Sequence, residues 1–463
     1  MATIKPFAAL RPKAELAARL CELPYDVFSS EEARQAAAGN PWSFLHVSKP
    51  EIDLPPSTDP CAPEVYAKGK ENFERLIAQG ALRRDPGPRF YLYRQVMGRH
   101  SQVGLVAGAS CQEYLSGVIK KHELTRPDKE DDRLRHIETL ESQTGPVFLV
   151  YRASPEIDRL VASNTADAPA IDFTAPDGVR HSAWTIAEAS PIRALEAAFA
   201  QIPSLYIADG HHRGAAAARL YQSRQAQRST LPAAQGRSKK GAGDPDSESG
   251  LPSGPREQEA GTKPSPPLAS RLLEPALPVA DPGACFLSVL FPHDQVRILP
   301  YNRVVKDLNG YSPSQLLKEL DKVFVLEPGG SPAPARPHQL ALWLDGQWHS
   351  LSFRDRFAAA ANPIEQLDVT LLQQHVLEPI FGIPDPRTSK RLGFVGGGRG
   401  TAELEKLVCS GQYACAFSLF PTRIEDLMTV ADAGGLMPPK STWFEPKLRD
   451  GLFCHLVGST LDG

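Results

Sequence analysis

Ser204-Leu-Tyr-Ile-Ala-Asp209-Gly210-His211-His212-Arg213 is the stretch around which the rest of the chain reads. Residues 204–208 are apolar and predict a buried strand. Gly214-Ala-Ala-Ala-Ala-Arg-Leu-Tyr221 predicts a helix whose small side chains allow close packing on that strand. An acid, a glycine, two imidazoles and a guanidinium stand at the junction. A strand turning sharply into a helix leaves free backbone N–H groups at the helix start, and the helix dipole favours an anion there. Gly210 permits the tight turn, Arg213 can fork onto a phosphate, and Asp209 at the strand end can hold a metal or orient a hydroxyl. The plainer alternative is an ordinary Asp-Gly turn with solvated histidines.

Outward from this turn, several segments have clear periods. Residues 64–79 predict an amphipathic helix ended by Gly80, with Val65, Phe73, Leu76 and Ile77 near one face. Strands are expected at 89–94, 101–107, 146–151, 181–186, 285–291 and 296–300. Leu340–Leu344 and Gln347–Phe353 predict a hairpin around Asp345-Gly346. Helices are expected at 157–162, 191–202, from Ser312, and over Leu367–Phe381, where Gly382 and Pro384 stop the last one. Ser29-Ser30-Glu31-Glu32 reads as a capped helix start. The mixture is α+β.

Four further stretches carry chemistry. Residues 120–136 hold eleven charged side chains in seventeen, six basic and five acidic. They read equally as a solvated, ion-paired helix or as a polar cleft around His122-Glu123, with Pro127 interrupting any continuous helix. Tyr25-Asp26 after Pro24 is either a site turn or an ordinary loop. Leu392-Gly-Phe-Val-Gly-Gly-Gly-Arg-Gly-Thr-Ala-Glu403 lacks the Gly-Lys-Ser/Thr ending of a phosphate loop and reads as a glycine-rich connection, with Thr401 capping the next helix. Met437-Pro-Pro-Lys440-Ser441-Thr442-Trp443-Phe444-Glu445-Pro446-Lys447 reads as a proline-stiffened surface loop, or as an anion clamp built on Lys440 and two hydroxyls.

Bulk properties narrow the classes. A net charge of −3 argues against a general nucleic-acid binder. No apolar run has the length of a signal peptide or a bilayer span, so the expectation is a soluble, cytoplasmic protein with a small-molecule substrate and no membrane partner. The seven cysteines lie far apart with no Cys-x-x-Cys, which argues for buried free thiols over disulfides or structural zinc. Residues 224–268 are rich in Gly, Pro, Ser, Gln, Lys and Glu and read as a disordered polar insertion. That divides the chain into 1–223, the insertion 224–268, and a C-terminal α/β part 269–463 that completes the site.

The combination of Lys120-Lys-His-Glu-Leu-Thr125, Ile207-Ala-Asp-Gly-His-His-Arg213, Tyr301-Asn-Arg303 and the 437–447 stretch resembles a large prokaryotic family long described only as a domain of unknown function. The resemblance covers nearly the whole chain apart from the polar insertion. Through Asp-Gly-His-His-Arg that family is similar to the ParB/sulfiredoxin-like superfamily, in which the equivalent turn binds nucleotide phosphates. The superfamily includes kinases that make O-phospho-L-serine from free L-serine. The resemblance implies a ParB/sulfiredoxin-like nucleotide-binding core with large elaborations, ATP or ADP as cofactor, and Mg2+.

Carried over residue by residue, it makes Glu123 the general base. Asp209 assists it or holds the metal, and Gly210, His211, His212 and Arg213 cradle the phosphates. His122, Arg303 and Lys440 become candidate substrate contacts. Between Glu123 and Asp209 lie 85 residues, so Asp26 stands as a rival base. The function implied is nucleotide-dependent phosphorylation of free L-serine or a similar small hydroxyl compound. The alternatives are a ParB-like nucleotide-binding regulator and a Mg2+-dependent phosphohydrolase.

Overall fold

The computed structural model describes residues 1–230, 281–358 and 362–458. Its first compact unit comprises Met1–Gln222 and Asp281–Gly463, and its second comprises Ser223–Ala280. The polar insertion expected from residue 224 falls in the second unit, but its residues 224–230 continue the helix His211–Thr230 and are not disordered. Its residues 231–268 lie outside the described residues.

A nine-stranded mixed sheet dominates the first unit. Its strands are β1 (Ile4–Lys5), β2 (Phe90–Met97), β3 (His100–Ser110), β4 (Ile119–Lys120), β5 (Val147–Tyr151), β6 (Ile171–Thr174), β7 (Arg180–Ile186), β8 (Leu205–Asp209) and β9 (Cys285–Pro292). The order is β4-β8-β5-β9-β3-β2-β7-β6, with β1 paired to β3. Only β4–β8 and β5–β9 are parallel pairs among these strands; the others are antiparallel. β5 and β8 sit at the centre of their half of the sheet and are covered on both faces. This explains their continuous apolar runs, Val147–Tyr151 and Leu205–Ala208, all buried. Each large side chain buried here stabilises the fold by about 1.5–3 kcal/mol.

Six further strands form a second, antiparallel sheet: β10 (Tyr301–Val305), β11 (Phe324–Pro328), β12 (Gln339–Leu344), β13 (Gln347–Phe353), β14 (Leu392–Gly396) and β15 (Cys415–Leu419). The order is β11-β13-β12-β15-β10-β14. The β12–β13 hairpin turns at Asp345-Gly346, both at positive φ, as its residue types require. A short ribbon pairs Arg297–Leu299 with Trp443–Glu445. The chain then returns to the first sheet's surroundings. Asp450 pairs with Glu22 through both main-chain groups, and His455–Leu456 pair with Ser142–Gln143.

The mixed α+β class follows from this architecture, and three local expectations are corrected by it. The stretch from Leu367 to Phe381 is not one regular helix. An α-turn over Asp368–Leu372 widens into a π-turn at Gln373–Leu377. The wider turn leaves Leu371, Leu372, Val376, Leu377, Ile380 and Phe381 all buried. Thr401 caps nothing: the helix Gly400–Cys409 starts one residue before it and has no side-chain cap. Four of the seven free cysteines are buried, but Cys61 and Cys409 are exposed, in a turn and at a helix end. Ser29 and Glu32 form the expected reciprocal capping box. Pro127 occupies the first turn of the helix Pro127–Leu140, where its missing N–H leaves no helical bond unmade. Among the described residues no helix is long and apolar enough to cross a membrane.

Candidate functional site

β8 carries the decisive turn. Its register against β5 shifts between Ile207 and Asp209, an irregularity that re-aims the strand's last side chain. Gly210 follows at φ +91°, and its N–H donates to Asp209 Oδ1 at 3.0 Å. A side chain at 210 would be strained by that φ and would put its Cβ 3.1 Å from the Arg213 guanidinium. The helix His211–Thr230 opens at once, with Gly214 N–H donating to the Gly210 carbonyl at 3.0 Å. Amides of its first turn have no acceptor within the helix, which is the arrangement that receives an anion.

Asp209 Oδ2 stands 3.2 Å from Lys447 Nζ and 3.9 Å from Arg213 Nη2. Burial alone would raise its carboxyl. Lys447 and Arg213 outweigh burial and hold it well below the usual carboxylate range. Arg213 also donates to the Pro146 carbonyl, so the guanidinium is tied at the base of the turn.

Imidazoles form the next layer. The His122 and His211 rings meet edge to face, 4.5 Å between centroids. His122 is 2% exposed, and burial pushes it down to about 4. Burial and then the neighbouring His122 hold His211 well below its ordinary value. Both are therefore neutral at pH 7. His211 Nδ1 lies 3.8 Å from Glu123 Oε2. His211 Nε2 and His122 Nδ1 are buried without a protein hydrogen-bond partner. His212 Nε2 accepts the Arg126 N–H at 3.1 Å, which places its ring proton on Nδ1 and anchors the 121–126 loop.

The facing wall is the 437–447 stretch. Met437 N–H donates to the His122 carbonyl at 2.8 Å, so this stretch is joined to the Asp-Gly-His-His-Arg side and is no free surface loop. Lys440 sits in the left-handed region at φ +61°, its Nζ 5.5 Å from the Tyr301 ring centroid. Trp443 Nε1 donates to Glu445 Oε1 at 2.8 Å, and Glu445 Oε2 accepts from Lys447 N–H at 3.1 Å. Arg303 has a supporting place. Its guanidinium donates to the carbonyls of Tyr301 and Lys440, the latter at 3.1 Å, and lies over the Phe394 ring. It is 4% exposed, and burial pushes it down to about 10.

Together these groups line one cleft of about 380 Å³. His122, Glu123, Asp209, Gly210, His211, His212, Arg213 and Lys440 all belong to its wall. Arg303 does not; it holds the backbone of Lys440 from behind. The wall also contains Asp26, Arg399, Trp443 and Lys447, none of which sequence reasoning had placed at the site beyond the rivalry of Asp26 as base. Glu123 is the half-exposed acid, with 44% of its side chain open to solvent. Its carboxyl is raised, first by partial burial and then by Asp209 and Asp26, with Lys440 opposing. Asp209 and Glu123, in one cleft, are thus driven in opposite directions. Among the described residues no three His, Cys, Asp or Glu side chains form a metal-binding group.

Solved structures give distant likenesses. A free serine kinase in complex with AMP is 11% identical, with 74% of this chain and 86% of that chain covered at a TM-score of 0.32. A C-terminally truncated SbnI from Staphylococcus aureus is 10% identical, with 77% and 90% covered at 0.35. A conserved hypothetical protein from Pyrococcus furiosus is 12% identical, with 72% and 90% covered at 0.30. No curated protein matches the chain. The family described as "Protein of unknown function (DUF1015)" matches residues 4–240 and 272–370, and the chain belongs to that family.

Proposed function

We propose that the cleft binds a nucleotide and transfers its terminal phosphoryl group to a small hydroxyl compound, with free L-serine as the first acceptor to test. One observation carries the reading. An anion-receiving helix start with Arg213 shares a cleft with two acids of opposite character, one carboxyl held low by its cations and one raised by burial. Phosphoryl transfer needs that set: cations for the phosphates and a carboxylate able to take the acceptor's proton. In this account the β8 turn and its sheet are a ParB/sulfiredoxin-like core, and ATP or ADP is the donor.

Glu123 is the general base. Its raised carboxyl and its open position let it accept a proton from a hydroxyl brought to the cleft. Asp209 is too strongly held by Lys447 and Arg213 to accept a proton at neutral pH. It orients those two cations and is the residue that would hold Mg2+. A single ionised carboxylate suits that ion, which takes most of its ligands from nucleotide phosphates and water and, when bound, neutralises phosphate charge. Gly210 and the first-turn amides of His211, His212 and Arg213 receive the phosphates, and Arg213 supplies a buried cation. Neutral His122 and His211 offer hydrogen bonds without adding charge, and Lys440 faces the acceptor's carboxylate. Arg303 acts on the acceptor through Lys440.

Water is the competing acceptor, because the exposure of Glu123 admits it; hydrolysis is the second reading. The test is incubation with Mg2+, ATP or ADP and L-serine, followed by phosphorus NMR. O-phosphoserine that disappears in both Asp209→Ala and Glu123→Gln supports the kinase. Inorganic phosphate alone points to the hydrolase. Nucleotide binding with no turnover across a panel of hydroxyl compounds leaves a regulatory binder.

A further inference from the structure

A small cavity of mixed polar and apolar lining shares two residues with the cleft, Tyr25 and Arg213. Arg133, His136, Gln143 and Asp450 also line it. Its volume of about 30 Å³ has room for roughly two waters, since each needs roughly 10–15 Å³. Asp450 is 3% exposed. Its main chain is fixed on both sides by Glu22, at 2.9 and 3.2 Å. Its carboxyl is pressed against the Gly145 backbone: a Cβ at 145 would come within 2.5 Å of Asp450 Oδ1. That oxygen is buried with no protein hydrogen-bond partner. A buried charged oxygen left unpaired is strongly unfavourable, so the group is neutral, or water joins it to a partner.

The surroundings say what the partner is. Arg213 and Arg133 face Asp450 with positive charge, Asp26 with negative charge, and the Tyr25 N–H donates to it. His136 lines the same cavity and is neutral, and the thiols of Cys21 and Cys454 nearby are held protonated by burial. Burial pushes the Asp450 carboxyl up to about 7 despite the two arginines.

We propose that water in this cavity joins Asp450 to Arg213, making Asp450 a positioning residue for that arginine and a proton switch on the strength of the anion site. This rests on the cleft being a phosphate site. With its proton on, Asp450 leaves Arg213 facing Asp209 as its remaining carboxylate, and more of the guanidinium charge acts on an incoming phosphate. With its proton off, the carboxylate competes for the guanidinium. Phosphate binding therefore favours the protonated form and draws one proton from solvent onto the Asp450 carboxylate.

The experiment is calorimetric titration of the whole chain with Mg-ADP between pH 6 and 8, in buffers of different ionisation enthalpy. The wild type is expected to take up protons near pH 7 and to lose about tenfold in affinity per unit of pKa coupling. Asp450→Asn is expected to lose that uptake and to flatten the pH dependence, which a purely structural role would not do. Equal uptake in both proteins, or none in the wild type, overturns the proposal. If ADP does not bind at all, the phosphate reading has failed, and thermal melts decide the rest. A carboxyl raised above its unfolded value of about 3.9 loses stability as pH rises toward 7, because the folded state keeps the proton longer. Asp450→Asn should then gain on the wild type by several degrees from pH 5 to 8. A constant gap overturns the buried switch. Should the variant fail to fold, absence of both proton uptake and a pH-dependent melt in the wild type does so.

Discussion

The two walls of the cleft are built in different ways. On one side, residues 205–213 follow from local rules: a buried strand, a glycine at φ +91° and a helix start. On the other, residues 437–447 have little regular structure and are held by groups far away in sequence. Met437 is tied to His122, Lys447 to Asp209, and the Lys440 carbonyl to Arg303. The first wall presents backbone amides and the second presents the cations Lys440 and Lys447 on a braced frame. A cleft so divided can hold phosphates rigidly on one side and fit an acceptor on the other.

Breaking the link between the walls has the largest expected effect. Lys447→Ala leaves Asp209 beside Arg213 alone. We expect a loss of about 2–3 kcal/mol in denaturant unfolding, less than the 3–5 kcal/mol typical of a fully buried pair because Asp209 keeps partial solvent contact. Nucleotide affinity should fall with it. The same ion pair has an acid signature. A carboxyl held below its unfolded value of about 3.9 contributes stability above that pH and loses it as pH falls toward the lower folded value. The stability gap between the wild type and Asp209→Asn should therefore narrow below pH 4, read from melts at successive pH values.

Gly210→Ala strikes only the rigid wall. Its positive φ and the nearby guanidinium predict a cost of about 1–3 kcal/mol and a weaker phosphate site, measured by melting and ADP titration. Arg303→Lys strikes only the braced wall. A lysine cannot reach two carbonyls as a fork, so about 1 kcal/mol of stability is lost. Acceptor KM should rise several-fold with nucleotide affinity unchanged. Thr401→Ala belongs to neither wall and should stay within about 0.5 kcal/mol of the wild type.

The same contrast explains what the sequence disclosed. Asp209–Arg213 was legible because strand, turn and helix start are encoded side by side. Pro127 signalled a break in the charged stretch but left its two readings even; in the structure both hold, a cleft-lining loop followed by the helix Pro127–Leu140. Lys447 was not legible as a partner of Asp209, since no local pattern separates one lysine of a loop from another across 238 residues. Arg303 lies in the middle of β10, and its turn onto the carbonyls of Tyr301 and Lys440 is a tertiary fact. Thr401 was misread because the helix starts at Gly400, one residue before it, and takes no side-chain cap. The π-turn at Gln373–Leu377 has the same apolar content as a regular helix and no distinguishing residue.

The division of labour between the two acids is the central claim, and Glu123→Gln tests it most directly. ADP affinity and phosphoryl transfer to L-serine would be measured side by side on this variant and the wild type. The account predicts affinity within about threefold of the wild type and transfer reduced at least a hundredfold, the usual scale for removing a general base. Transfer that survives in Glu123→Gln would contradict it and return the role of base to Asp26.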